Sequence, residues 1–285
     1  MAETIYGEMW RQVALAGLRK DLVGDMICNK SFQQEVWGKG NVLNIVGVGT
    51  LTDKEYPASD NITYEDITDS NLKLEIDKQR YVAFKSEDAN RALTSIDKLT
   101  EIVSDAGYQM GDYWDGLVMA EYANATLESY ATGTTPWQVT ATTAANIPQI
   151  FGAIKRQLKK ANAPKGDIYL VAPPELEEAI TMYMGGKGAA SQLSDAYISN
   201  ATYGGKLFGV QLFISNNLVT ESSTTHGLAG VVGTSIALAN DIITDEKLRL
   251  EGRIASGQRI LSIGGIKTYR TAISVDVNFN NTVIA

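Results

Sequence analysis

Residues 86–130 read SEDANRALTSIDKLTEIVSDAGYQMGDYWDGLVMAEYANATLESY, and the period of this stretch decides how the chain is built. Apolar side chains recur at Ala89, Ala92, Leu93, Ile96, Leu99, Ile102, Val103, Ala106, Met110, Tyr113, Trp114, Leu117 and Val118. Steps of three and four keep one face of a helix apolar. Ser86 is placed as an N-cap, and Glu87 and Asp88 set negative charge on the positive end of the helix dipole. The spacing predicts a helix over the whole run, about 60 Å long at about 1.5 Å per residue. A bend or break is expected near Gly107, Gly111 or Gly116. A globule of this length is about 50 Å across. The expectation is an elongated subunit that packs against copies of itself.

Upstream the period changes. Leu72, Leu74 and Ile76 alternate with Lys73, Glu75 and Asp77, the pattern of a strand with one wet face. Asp77-Lys78-Gln79 is a turn candidate, and Tyr81-Val82-Ala83-Phe84 returns as a strand. With the apolar run Val42–Val46 and a polar stretch around Pro57–Asn61, residues 41–85 read as one long β-hairpin or a pair of hairpins. A two-stranded ribbon is marginal alone in water and needs a surface to lie on. Residues 1–40 read as a helical arm: Ile5, Met9, Val13, Leu15, Leu18, Leu22 and Met26 lie at roughly helical spacing. Trp10, Phe32 and Trp37 add large apolar surface, and Gly38-Lys39-Gly40 ends the segment.

Downstream, Thr132–Pro136 is a linker. Ile147, Ile150, Phe151, Ile154 and Leu158 mark an amphipathic helix, with Lys155, Arg156, Lys159 and Lys160 toward the end where the dipole favours cations. Ile168–Val171 is a short buried strand. Pro174 and the acids Glu175, Glu177 and Glu178 open another helix, to about Met184. From Lys206 onward the chain is strand-like, and Ile273, Val275, Val277 and Phe279 face one way in the last strand.

The 285 residues carry 33 acids against 25 Lys and Arg, a net charge of −8, and 44% hydrophobic residues. That composition supports a substantial core and argues against a dedicated nucleic-acid binder, while leaving room for local cationic contacts. Cys28 is the only cysteine, so no intramolecular disulfide forms. No secretory signal and no apolar run long enough to span a membrane is expected. Catalytic constellations are not found. His226 is the only histidine and is read as a surface-loop residue; no Gly-x-Ser-x-Gly elbow exists for it to serve. One histidine and one cysteine do not make a zinc site. Gly185-Gly186-Lys187-Gly188 lacks the spacing and the flanking strand of a phosphate loop. The acids Asp53/Glu55, Glu65/Asp66/Asp69 and Glu175/Glu177/Glu178 read as solvated loop and helix-start positions, and Glu121 and Glu128 as surface positions of the long helix. No cofactor and no metal is expected, and the chain reads as not an enzyme.

The order of parts resembles the major capsid protein of tailed bacteriophages, with the Hong Kong 97 coat fold. The resemblance is carried by Phe32-Gln33-Gln34-Glu35-Val36-Trp37, Gly47–Leu51, the run Leu72–Phe84, the handover to Ser86-Glu87-Asp88-Ala89, Ile168–Pro174, and Gly209–Leu218 with its Ser215-Asn216-Asn217-Leu218 end. It implies an α+β fold with an N-terminal arm at 1–40, an extended loop at 41–85, a spine helix of a peripheral domain at 86–139, an axial domain at 140–240, and late strands returning to the peripheral domain at 241–285. It implies a shell protein that self-assembles as pentamers and hexamers into an icosahedral phage head in the virion, put together in the host cytoplasm. Its partners would be its own copies, packaged double-stranded DNA without sequence specificity, and scaffolding, portal and decoration proteins; no membrane is involved. Subunit contacts are expected at Trp10, Leu18, Phe32, Trp37, Tyr56, Tyr64, Leu72 and Leu74. The alternatives are an encapsulin-like compartment shell and an α/β enzyme or ligand-binding protein with an acidic site.

Overall fold

The computed structural model describes residues 23–33, 42–48, 53, 64, 69–87, 96–138, 146–186, 203–250, 252 and 254–280. Its helices are α1 (Val23–Ile27), α2 (Ile96–Ala120), α3 (Ile147–Lys160) and α4 (Pro174–Gly186). An eight-stranded sheet carries, side by side, β4 (Leu127–Ser129), β13 (Val275–Asn280), β10 (Thr224–Val231), β6 (Ile168–Ala172), β8 (Val210–Ile214) and β7 (Tyr203–Leu207). β5 (Trp137–Gln138) adds to β13, and β9 (Thr220–Glu221) to β10. A three-stranded antiparallel sheet runs β11 (Ile236–Arg249), β12 (Ala255–Thr268), β3 (Lys78–Glu87). A separate antiparallel ribbon pairs β1 (Val42–Val48) with β2 (Asp69–Glu75).

Period-two alternation divides the large sheet into two apolar faces. Leu170 and Ala172 of β6 face α3 and α4, with Ile147, Ile150, Phe151, Ile154 and Leu158 of α3 all buried there. Ile273, Val275, Val277 and Phe279 point to that same side, as their spacing predicts. Tyr169 and Val171 face the other way, onto α1 and the C-terminal half of α2. The N-terminal half of α2 lies on the small sheet, where Val103 and Met110 pack with Ile242, Ile260, Val82 and Phe84. One helix therefore spans both sheets.

The helix is shorter than its sequence suggests: Ile96–Ala120, about 38 Å at about 1.5 Å per residue. Ser86 and Glu87 are not its cap and first turn. They end β3, paired with Ser256 and Ala255 of β12. At the other end, Glu121–Asn124 tightens to a 3-10 turn, and Leu127–Ser129 becomes β4, parallel to β13. Ladder pairing to distant strands overrides helical spacing at both ends. Glu121 is half-buried rather than free in solvent: its carboxylate accepts from the Thr268 backbone N–H (2.9 Å) and hydroxyl (2.6 Å). No break occurs at Gly107, Gly111 or Gly116, because packing on two sheets outweighs the propensity cost.

The hairpin reading of residues 41–85 is half corrected. β1 and β2 pair as expected, but Lys78 and Gln79 belong to β3, whose partner is β12 and not β2. The chain crosses from ribbon to sheet at Ile76–Asp77, and Gly264-Gly265 of β12 make room for that crossing. A Cβ on Gly265 would overlap the Glu75 carbonyl oxygen; one on Gly264 would stand 2.8 Å from the Trp114 ring. Residues 29–33 tie down beside this crossing: Asn29 bridges to Ala237, and the Gln33 amide donates to the Asn240 carbonyl (2.7 Å).

Two glycine-to-alanine variants separate close approach from propensity. Gly265→Ala is expected to destabilise by about 1–3 kcal/mol, because backbone must move. Gly116→Ala, with open space around it, is expected to stabilise by about 0.5–1 kcal/mol. Urea unfolding of both variants checks the pair; equal signs would contradict the crossing geometry.

Candidate functional site

Two arrangements could carry function: a polar cluster around the only histidine, and the outer surface of the small sheet with its ribbon. The polar cluster continues the α2-side face of the large sheet beyond Leu228. His226 is not in a loop; it lies in β10, opposite Asn278 of β13. Its Nδ1 is 2.9 Å from Asp276 Oδ2. The Tyr122 ring stacks on the imidazole at 4.2 Å and 19°, and the Tyr122 hydroxyl donates to Glu221 Oε1 (2.7 Å). Asn278 donates to the same Asp276 carboxylate at 3.3 Å. Burial pushes the Asp276 carboxyl above its usual range, against the stabilising hydrogen bond from His226. Burial and the Glu221 carboxylate push the Tyr122 phenol up to about 12.

A histidine–carboxylate pair is two thirds of a nucleophile-activating triad. Among the described residues no hydroxyl or thiol is hydrogen-bonded to this imidazole. Cys28 is buried, and burial raises its thiol well above the ordinary value, which keeps it out of the reactive thiolate form. Among the described residues no group of three or more His, Cys, Asp or Glu is placed to hold a metal ion. The cluster therefore ties β10, β13, β9 and the 3-10 turn after α2 together. A second polar node does the same for the N-terminal segment. The Asn217 amide donates to Asp112 Oδ1 (2.6 Å) and Asp115 Oδ2 (2.9 Å), while the Gly24 N–H donates to Asp115 Oδ1 (2.7 Å).

The outer surface is of a different kind. On the face of the small sheet turned away from α2, Leu250 folds over Gly257, and an open groove of about 290 Å³ forms. Ala83, Leu248, Leu250 and Gly257 supply its apolar lining, and Lys85 and Arg259 its cationic rim. Arg259 is paired to Glu246 across the strands at 2.6 Å. Tyr81 on the same face is 74% exposed, and Ile254 and Leu248 are also open to solvent. Exposed apolar side chains beside an apolar groove make this face the candidate for contact with a partner.

Of the contact residues expected from sequence, Trp10, Leu18, Trp37 and Tyr56 lie outside the described residues. Tyr64 is 92% exposed. Leu72 is half-buried on the ribbon. Leu74 is fully buried with Leu43, Ile76, Ala237 and Ala239, so within the chain it anchors the base of the ribbon. Phe32 packs edge-on to Tyr269 (6.5 Å, 79°) beside that anchor. Sequence reasoning missed Tyr81, Leu248, Leu250 and the groove. The available signal was Gly257 inside a strand, which marks a place where something approaches the backbone closely.

The ionisable cluster yields a pH test. Below about pH 3.9, the ordinary aspartate value, Asp276 is protonated folded and unfolded. As pH rises through its elevated folded value, the buried group must ionise and folding stability falls. Stability relative to an Asp276→Asn variant is expected to decline from pH 4 upward across that window, measured by urea unfolding at each pH; a relative rise would contradict the assignment.

Comparison with known proteins adds to this geometry. A sequence model of the family described as phage capsid protein matches residues 72–272, about seven tenths of the chain. Among curated proteins none matches the sequence. Among solved structures, a chain of Mycobacterium phage Che8 is similar at a TM-score of 0.69 and 23% identity, covering 92% of each chain. The capsid of Cyanophage P-SCSP1u is similar at a TM-score of 0.64 and 13% identity, over 93% of this chain and 90% of that one. A virus-like particle from Pyrococcus furiosus is similar at a TM-score of 0.56 and 13% identity, over 95% and 99%. At these identities the likeness is one of fold.

Proposed function

The chain belongs to the phage capsid protein family, and on that premise we propose that its copies assemble as pentamers and hexamers into the icosahedral shell of a phage head around double-stranded DNA. It is a major capsid protein, a structural protein of the virion, with the α+β fold of the Hong Kong 97-like coat. The observation that carries the reading is the family match over residues 72–272, which takes in most of the ribbon strand β2, the spanning helix α2, the whole three-stranded sheet and every strand of the large sheet except β13.

The finer assignments are ours. The protein works without catalysis. The arm is residues 1–40, the extended loop 41–85, the spine 86–139, the axial domain 140–240 and the returning strands 241–285. The connection between β1 and β2 carries Asp53, Glu55, Asp60, Glu65 and Asp66 against Lys54 alone, with Tyr56 and Tyr64 among them. The groove over Gly257 is apolar with a cationic rim. With Arg259 already paired to Glu246, Lys85 is the cation this groove offers to the acidic connection, and such charge matching fixes register between subunits. Trp10, Leu18, Trp37, Tyr56, Tyr64 and Leu72 are the side chains offered to neighbouring copies. Contacts of this kind are individually modest, and each subunit makes many. Scaffolding, portal and decoration proteins are further partners of the assembled head.

The test is assembly. Purified chain is expected to form shells or capsomer sheets in negative-stain micrographs. Leu248→Asp combined with Lys85→Glu is expected to leave the far-UV spectrum unchanged and to raise the concentration needed for assembly by at least about tenfold, the equivalent of about 1.4 kcal/mol per contact. A wild-type chain that sediments only as a monomer, with no particles at any salt concentration, would contradict the shell reading. Co-purification of an enzyme cargo inside the particles would favour the compartment alternative.

A further inference from the structure

The chain is acidic overall, yet one end of the large sheet is strongly cationic. Arg156, Lys159 and Lys160 are exposed on the last turns of α3, and Lys165 is exposed in the connection to β6. Lys206, the penultimate residue of β7, lies beside them, with Lys155 one turn back along α3. The topology places them together. β6 begins at Ile168 and runs parallel to β8, which begins at Val210, so both strands start at this end. Lys206 bonds Asp167 at 2.7 Å, and the Lys155 ammonium donates to the Phe208 carbonyl. Asp167 is a carboxylate paired within this group, through Lys206.

The dipole of α3 accounts for Lys159 and Lys160 but not for Lys165 and Lys206, which lie off the helix. The patch is also held in shape. Phe208 and Gly209 both adopt left-handed backbone (φ 50° and 73°), in a two-residue hairpin where Asn-Gly is the usual choice. A phenylalanine there is fixed from two sides. Its carbonyl takes the Lys155 ammonium, and its ring lies 5.6 Å from Phe151. The hairpin and the helix end are thereby locked to one another.

We propose that this end of the sheet is a contact surface for the phosphate backbone of double-stranded nucleic acid, read without regard to sequence. The proposal rests on the reading of the chain as the wall of a DNA-filled head. Composition favours a polyanion over a protein partner. Five of the six cations are lysines, which are depleted from protein–protein interfaces and act as hydrated point charges suited to unspecific phosphate contact. The acids elsewhere on the chain do not cancel the patch, since charges more than about 10 Å apart are screened at 0.1 M salt.

The experiment measures binding of a random-sequence duplex to the full-length chain by fluorescence anisotropy, from 50 to 200 mM salt. The variant is Arg156→Glu/Lys159→Glu/Lys160→Glu/Lys165→Glu, all exposed positions. A control adds acidic charge elsewhere, Lys73→Glu with Lys267→Glu, also exposed. If each of four cations meets one phosphate, the wild-type slope of log affinity against log salt carries a contribution of about −3 to −4 that the variant loses. Affinity at 50 mM salt is expected to fall at least about tenfold in the variant and less than about threefold in the control. Both proteins should still form particles in micrographs. Equal losses in variant and control, or no wild-type binding at 50 mM salt, would overturn the proposal. So would a variant that binds the duplex normally and fails to assemble, because the face would then be a contact between subunits. Failure of the wild type to assemble at all speaks against the shell reading and leaves the binding comparison standing by itself.

Discussion

The packing of Trp114 is the constraint on which the rest of the structure depends. Its ring is almost fully buried, in one cluster with Tyr169, Phe213 and Leu238, and its indole N–H donates to the Ser262 hydroxyl (3.2 Å). It also lies against the place where a Cβ of Gly264 would be. One side chain thus shares a core cluster with the large sheet and bonds the small sheet, one residue from the glycine that lets the ribbon cross. Because α2 is held here, its two halves serve two different surfaces, and the sheets are set at a fixed relation. The polar node of Asp115, Asn217 and Gly24 lies next to it and fastens the incoming N-terminal segment to the same helix.

Among the described residues, that arrangement leaves apolar surface that no other element covers. The inner faces of both sheets are closed by α2, α3 and α4. The outer face of the small sheet, with Tyr81, Leu248 and the groove over Gly257, is not. A ribbon of two strands is marginal in isolation, and here Leu43, Leu74 and Ile76 anchor only its base. Repeated copies resolve both problems together, since each open surface can be closed by a neighbour and closed symmetry stops growth.

Much of this was legible in the sequence where a local period and the final packing agree. The α3 face, the alternation of Ile273–Phe279 and the wet–dry pattern of Leu72–Ile76 fall in this group. What was not legible depended on partners far away in the chain. Ser86 looks like a cap until Ser256 pairs with it, and Leu127–Ser129 looks helical until β13 pairs with it. His226 sits in a run of Ser and Thr that reads as a turn, yet Asp276, 50 residues on, and the Tyr122 ring draw it into the sheet. The groove was invisible because it needs β3, β12 and the end of β11 together. The resemblance in the order of parts supplied what local pattern could not, and the family match carries it.

The central claim is that the open surfaces of one copy are closed by others. Oxidative footprinting of Tyr64 and Tyr81, compared between assembled particles and subunits released from them, tests it most directly. The account predicts that both tyrosines, 92% and 74% exposed in the single chain, become strongly protected in particles. Equal labelling of both residues in particles and in free subunits would contradict it.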